Sequence, residues 1–155
     1  MKIRILVFAL CFFTVINKVA AQKKWINSYT TALGGKFYPG ALSFKQYIPN
    51  KNAVEVNGYF WRGGRVTVLY EINKPIAGIG GLSWYVGPGV HMSFYNSYNN
   101  EGKTLMGIDG VAGLDLKLKN FPFDFSLDWQ PSVDFGGGED FIAFWGGLGI
   151  RYFIR

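Results

Sequence analysis

The sequence predicts an all-β fold: an eight-stranded antiparallel up-and-down transmembrane β-barrel. Three observations predict it. Apolar and polar residues alternate with period two along most of the chain. In FPFDFSLDWQPSVDF, for example, Phe121, Phe123, Phe125, Leu127 and Trp129 are separated by Pro122, Asp124, Ser126, Asp128 and Gln130. The second face of these stretches mixes glycines, rings and a few charges, unlike the Lys, Glu and Thr of a water-facing sheet. Rings also gather near the strand ends of the apolar face, as in the aromatic girdles of membrane barrels.

The elements follow in order. Tyr29, Thr31, Leu33, Gly35 and Phe37 share one face, with Thr30, Ala32, Gly34 and Lys36 on the other. Pro39-Gly40 makes a turn. Leu42, Phe44 and Ile48 then oppose Ser43, Lys45 and Tyr47, with Gln46 interrupting the apolar side; a turn follows at Pro49 to Asn52. Val54, Val56, Gly58 and Phe60 oppose Glu55, Asn57, Tyr59 and Trp61. Arg62-Gly63-Gly64-Arg65 is a tight hairpin-type turn. Val66, Val68, Tyr70 and Ile72 oppose Arg65, Thr67, Leu69 and Glu71, and Asn73 to Gly81 is a glycine-rich connection. Leu82, Trp84, Val86, Val90, Met92 and Phe94 oppose Ser83, Tyr85, Gly87, Gly89, His91 and Ser93. Asn96 to Lys103 is a polar loop. Ile108, Ala112, Leu114 and Leu116 oppose Asp109, Val111, Asp115 and Lys117, and a turn at Asn120 leads into the strand quoted above. Asp134 to Asp140 is a glycine-rich loop. Last, Ile142, Phe144, Leu148, Ile150 and Tyr152 oppose Ala143, Trp145, Gly147, Gly149, Arg151 and Phe153. Consecutive strands joined by turns, with no helix between them, close naturally into a barrel.

Residues 1–21 read as a cleaved signal peptide. Lys2 and Arg4 precede an apolar run from Ile5 to Ile16, and Val19-Ala20-Ala21 supplies small residues for cleavage before Gln22. The run is too short for a spanning helix, which needs ~20 residues. Residues 22–27 form a short N-terminal segment and residues 28–155 the barrel. Cys11, the single cysteine, lies in the leader, so the mature chain is expected to be exported without disulfides. Removing Lys2, Arg4 and Lys18 leaves 16 − 3 = 13 basic side chains against 10 acidic ones. That small surplus, with no Lys/Arg cluster, excludes a nucleic-acid footprint. An apolar content of 49 % with only 17 % charge excludes disorder.

The run from Gly34 to Phe153 resembles the small outer-membrane β-barrel families of Gram-negative bacteria, in the size class of OmpX- and OmpA-type barrels. WYVGPGVHMSFYN, GIDGVAGLDLKLKNFPFDFSLDWQPSVDF and WGGLGIRYFIR look like segments of a widespread group of uncharacterised exported barrel proteins. Gly147, Ile150, Tyr152 and Phe153 look like the C-terminal signal for membrane insertion of such barrels, although Ile154 and Arg155 follow where an aromatic usually ends the chain. The resemblance implies a bacterial outer-membrane location, contact with outer-membrane lipid and lipopolysaccharide, and help from the barrel-assembly machinery. The expected protein is a monomer without nucleic acid, cofactor or metal.

The alternation assigns Lys36, Lys45, Glu55, Arg65, Glu71, His91, Asp109, Asp115, Lys117, Asp124, Asp128 and Arg151 to the barrel interior. Buried charges persist when paired, so these residues are expected to form a network that plugs the lumen. Asp115 and Asp124 fall roughly opposite one another across the Asn120 turn, with Lys117 and Arg151 to neutralise them. His91 and Ser93 weakly resemble the His-x-Ser pair of barrel lipid A deacylases, in which a histidine base activates a serine; no third, orienting acid is evident, Glu101 lying in a loop. The glycine-rich stretches at Gly78 and Gly136 precede strands rather than helices, which excludes a phosphate cradle. The expected role is non-enzymatic, a structural or surface-interaction barrel. Its outward loops lie near Pro39, Arg62, Asn99 and Gly137. The competing readings are a lipid-modifying enzyme, a soluble lipocalin-like carrier with its faces reversed, and a small pore.

Overall fold

The computed structural model describes residues 31–60, 63–95, 103–118, 120–135, 140–143 and 145–154. The expected signal peptide, the segment 22–27, Tyr29, Trp61, Arg62, Glu101, Phe144 and most of the loops near Asn99 and Gly137 lie outside these residues. The strands are β1 (Thr31–Phe37), β2 (Ala41–Tyr47), β3 (Ala53–Tyr59), β4 (Gly64–Pro75), β5 (Leu82–Tyr95), β6 (Lys103–Lys117), β7 (Phe123–Trp129), β8 (Ser132–Phe135), β9 (Asp140–Ile142) and β10 (Gly146–Ile154). The one helical piece described is a 3-10 turn at Pro49–Lys51.

Every neighbouring pair is antiparallel. β1 pairs with β2 on one side and with β10 on the other, which closes the sheet. β7 and β8 both lie along β6 in one continuous register, so they form a single stave interrupted at Gln130-Pro131; Pro131 has no N–H to give the ladder. β9 and β10 form the last stave, making eight in all.

Stepping sideways along paired residues from Gly107 passes through His91, Thr67, Asn57, Ser43, Gly34, Arg151 and Asp124, then returns to β6 at Lys117. The stagger is 117 − 107 = 10 residues. With strand spacings of about 4.8 Å and a rise of about 3.3 Å, eight staves at that stagger tilt by about 40° from the barrel axis. An interior of this size is filled by side chains.

The two faces are inverted relative to a soluble sheet. Phe123, Phe125 and Leu127 point outward at 38 %, 38 % and 55 % exposure, while Asp124 and Asp128 point inward at 0 % and 6 %. The same holds around the ring: Leu33, Leu42, Phe44, Val66, Val68, Trp84, Val90, Ile108, Leu148 and Ile150 are exposed, the outward Val54 and Val56 of β3 are half-buried, and the charged residues between them are buried.

Four expectations about boundaries and facing are corrected. β4 runs on to Pro75, pairing Asn73 with Tyr85, where a connection was expected from Asn73. β6 begins at Lys103, because Leu105 and Met106 extend its alternation outward from Ile108. Asp134 and Asp140 are strand residues paired with each other, although their glycine-rich surroundings read as loop. Ile142 pairs with inward-facing Ser132 and so does not share the outward face of Leu148. The reason is a bulge: from Ser132 back to Trp129 is three steps, while from Ile142 on to Gly146 is four. One extra residue flips the parity. Gly146 sits at that point with φ +146°, a conformation open to glycine at no steric cost.

Candidate functional site

The lumen is built by the inward positions of all eight staves. Near mid-height it is lined by small residues, among them Gly34, Gly87, Gly113, Gly149, Ser43 and Ser126. The space they leave is taken by long side chains from adjoining positions. A Cβ on Gly113 would strike the Tyr85 ring, and one on Gly149 would reach Ser126 Oγ and the Arg151 guanidinium.

Arg151 is fully buried at the centre of the network. Its Nη2 donates to Glu55 at 2.7 Å, Nη1 to Asp124 at 2.9 Å, and Nε to Ser43 at 2.8 Å. Nη1 also lies 3.7 Å from Asp115. One guanidinium thus joins β10 to β2, β3, β6 and β7. Lys45 Nζ contacts Asp115 at 2.5 Å and Glu71 at 2.7 Å. β2 and β6 stand on opposite sides of the eight-stave ring, so the Lys45–Asp115 pair crosses the whole lumen. Lys36 bridges Asp128 at 2.9 Å and Glu55 at 3.3 Å. Tyr85 donates its hydroxyl to Asp128 at 2.9 Å, and Tyr59 donates across the barrel to Gln130 at 3.1 Å.

All twelve charged residues assigned to the interior do lie on the inward face, and eleven of them are buried. Their pairing differs from expectation in two respects. Asp115 stands opposite Ser126 and Asp124 opposite Lys117, so the two aspartates are offset by two residues rather than facing. Lys45, not Lys117, neutralises Asp115. Lys117 instead places its ammonium 3.8 Å from the Tyr47 ring centre, at the half-buried end of the lumen. Asp134 joins the interior set at 4 % exposure. Continuing the even-numbered inward positions from Asp128 through Gln130 and Ser132 would have found it.

His91 lies nearer the other end. Its Nδ1 is 2.7 Å from Asp109 Oδ2, and Nε2 is 2.8 Å from Asp134 Oδ1, without the alignment of a hydrogen bond in the latter contact. Asp109 also accepts from Arg65 at 2.6 Å and from Gln130 at 2.9 Å. Arg65 stacks over Trp145 at 4.8 Å, and Trp145 meets the Tyr59 ring edge-on at 5.3 Å. The missing acid partner of His91 is therefore Asp109, one strand away and invisible to local spacing. The second ring nitrogen faces Asp134 and not Ser93, whose Oγ has no hydrogen-bond partner among the described residues. A nucleophile–base contact between His91 and Ser93 is not made.

Of the C-terminal residues singled out, Gly147 and Phe153 point inward, Phe153 stacking with Tyr47 at 6.0 Å, while Ile150 and Tyr152 point outward. Among the described residues no group of three or more His, Cys, Asp or Glu side chains is arranged to hold a metal ion. No family model matches this chain, and neither a curated protein nor a solved structure matches it.

Proposed function

We infer that the chain is a small bacterial outer-membrane β-barrel with a structural or surface-interaction role, its lumen plugged by the charged network. The observation that carries this reading is the inversion of the faces: an apolar exterior around a closed ring of strands whose described charged residues turn inward, apart from the exposed Lys51, Lys74 and Lys103 at the rims. In water such an exterior would far exceed the few hundred Å2 of contiguous apolar patch usual on a monomer. In hydrocarbon it is the favourable arrangement, because closure leaves no strand edge unpaired and the charges are kept from lipid. A ligand-carrying lipocalin-like barrel needs an apolar interior; this interior is ionic. Conduction needs an open lumen; here Lys45–Asp115 and Tyr59–Gln130 span it.

Cell fractionation combined with gel electrophoresis of heated and unheated samples tests the reading. The protein is expected in the outer-membrane fraction, its unheated form migrating as a compact species that shifts on boiling. Recovery in the soluble periplasm would remove the membrane assignment.

A further inference from the structure

The outer wall is not uniform. Val54, Val68, Tyr70, Pro88 and Val90 line an almost wholly apolar groove of about 290 Å3 running over β3, β4 and β5. Its origin lies in the backbone. Pro88 offers no N–H, and the β4–β5 ladder lapses between the pairs Leu69–Gly89 and Ile72–Val86. The side chains over this stretch are short, mostly valine and proline. On the far wall the same belt is filled by Phe125, Leu127 and the edge-to-face pair Phe123–Tyr152, 5.5 Å between centroids.

Beyond the Tyr70 end of the groove lies a polar rim. Asn52 donates from Nδ2 to the Tyr70 hydroxyl at 2.8 Å, tying that ring to the turn at Pro49–Lys51. Lys51 is exposed in this turn. Lys74 is exposed at the same rim, at the next outward position after Ile72, and paired with Trp84. Among the described residues neither lysine makes an ion pair. A hydrocarbon slot that leads from Tyr70 past the exposed Ile72 and Val86 to a rim with two ammonium groups and Trp84 complements an amphiphile with an anionic head.

We propose that this wall holds one glycerophospholipid of the leaflet at the Pro49–Lys51 rim, its phosphate between Lys51 and Lys74 and one acyl chain along Tyr70, Val54, Val68 and Val90. The proposal rests on the membrane reading above. It goes beyond it by assigning a preferred lipid position instead of uniform solvation. Tyr70 sets the depth of the head group, and the gap left by Pro88 receives the chain.

The test uses the full chain in phosphatidylcholine vesicles doped with phosphatidylglycerol that carries a diazirine in one acyl chain. After photolysis, peptide mass spectrometry maps the labelled residues. Labelling at Val54, Val68, Tyr70 and Val90 is expected to exceed that at Leu127, Leu148 and Ile150 by at least about threefold. The double variant Lys51→Asn with Lys74→Gln is expected to erase the excess while leaving the far wall labelled as before; asparagine suits the positive φ at Lys51. Even labelling around the barrel would overturn the groove. An excess unchanged in the double variant would overturn the head-group contact. Absence of label from every outward residue would overturn the membrane reading and this inference together.

Discussion

At the scale of single residues, Arg151 concentrates the most consequence. Removing one member of a buried ion pair costs about 3–5 kcal/mol, because the partner charge stays buried and unpaired. Arg151→Met leaves Glu55 and Asp124 without their closest cation, so its unfolding midpoint in urea, followed by the gel shift of the folded barrel, is expected to fall sharply. An unaltered midpoint would show that the network does not hold the barrel. Glycines give a second, paired prediction. Gly113→Ala places a methyl against Tyr85 and the Leu127 carbonyl, and overpacking of that kind costs about 1–3 kcal/mol. Gly40→Ala meets nothing within 4 Å and is expected to stay within about 0.5 kcal/mol of the parent. Equal stabilities for the two variants would contradict the packing of the Tyr85 ring. The residue types needed for this network were legible as inward positions. Its partners were not: Lys45 and Asp115 are 70 positions apart, and only closure of the ring sets them face to face.

At the scale of elements, the interruptions carry more information than the regular strands. Pro88 and Pro131 each remove a donor from the wall, and the register survives both. The bulge before Gly146 does change register, and it is why Ile142 and Leu148 face opposite ways although both are even-numbered. A Cβ at Gly146 would collide with the Asp128 carbonyl and would also demand a strained φ. Gly146→Val is therefore expected to loosen the first turns of β10, raising amide exchange at Gly147 and Gly149 while Arg151 and Phe153 stay protected. Uniform exchange along β10 would argue that the bulge is not held by Gly146. Period-two reading found the regular parts because side-chain direction alternates strictly along a strand. It misplaced Ile142 because a bulge shifts parity without leaving a mark that composition can show, apart from a glycine among many.

At the scale of the whole molecule, closure ties the interior and the exterior together. Eight staves staggered by ten residues leave an interior that side chains can fill, and the ion pairs crossing it occupy the axis. Planar-bilayer recordings of the reconstituted protein are expected to show no stable open channel. A long-lived, porin-like conductance would mean that the Lys45–Asp115 contact does not block the lumen. The rim bearing Pro49–Lys51 carries the exposed Lys51 and Lys74 that the lipid proposal uses, and Lys103 is exposed at the other rim.

The sequence by itself determined which residues share a face, since alternation needs only the geometry of an extended chain. It also determined that the charges fall opposite the aliphatic side chains, and that the strands succeed one another through short turns. The tertiary structure alone decided which charge meets which, that Asp109 and Asp134 hold His91, and that one wall is grooved. These depend on the stagger at which the ring closes, and stagger is a property of pairing between distant strands that no local stretch of chain encodes.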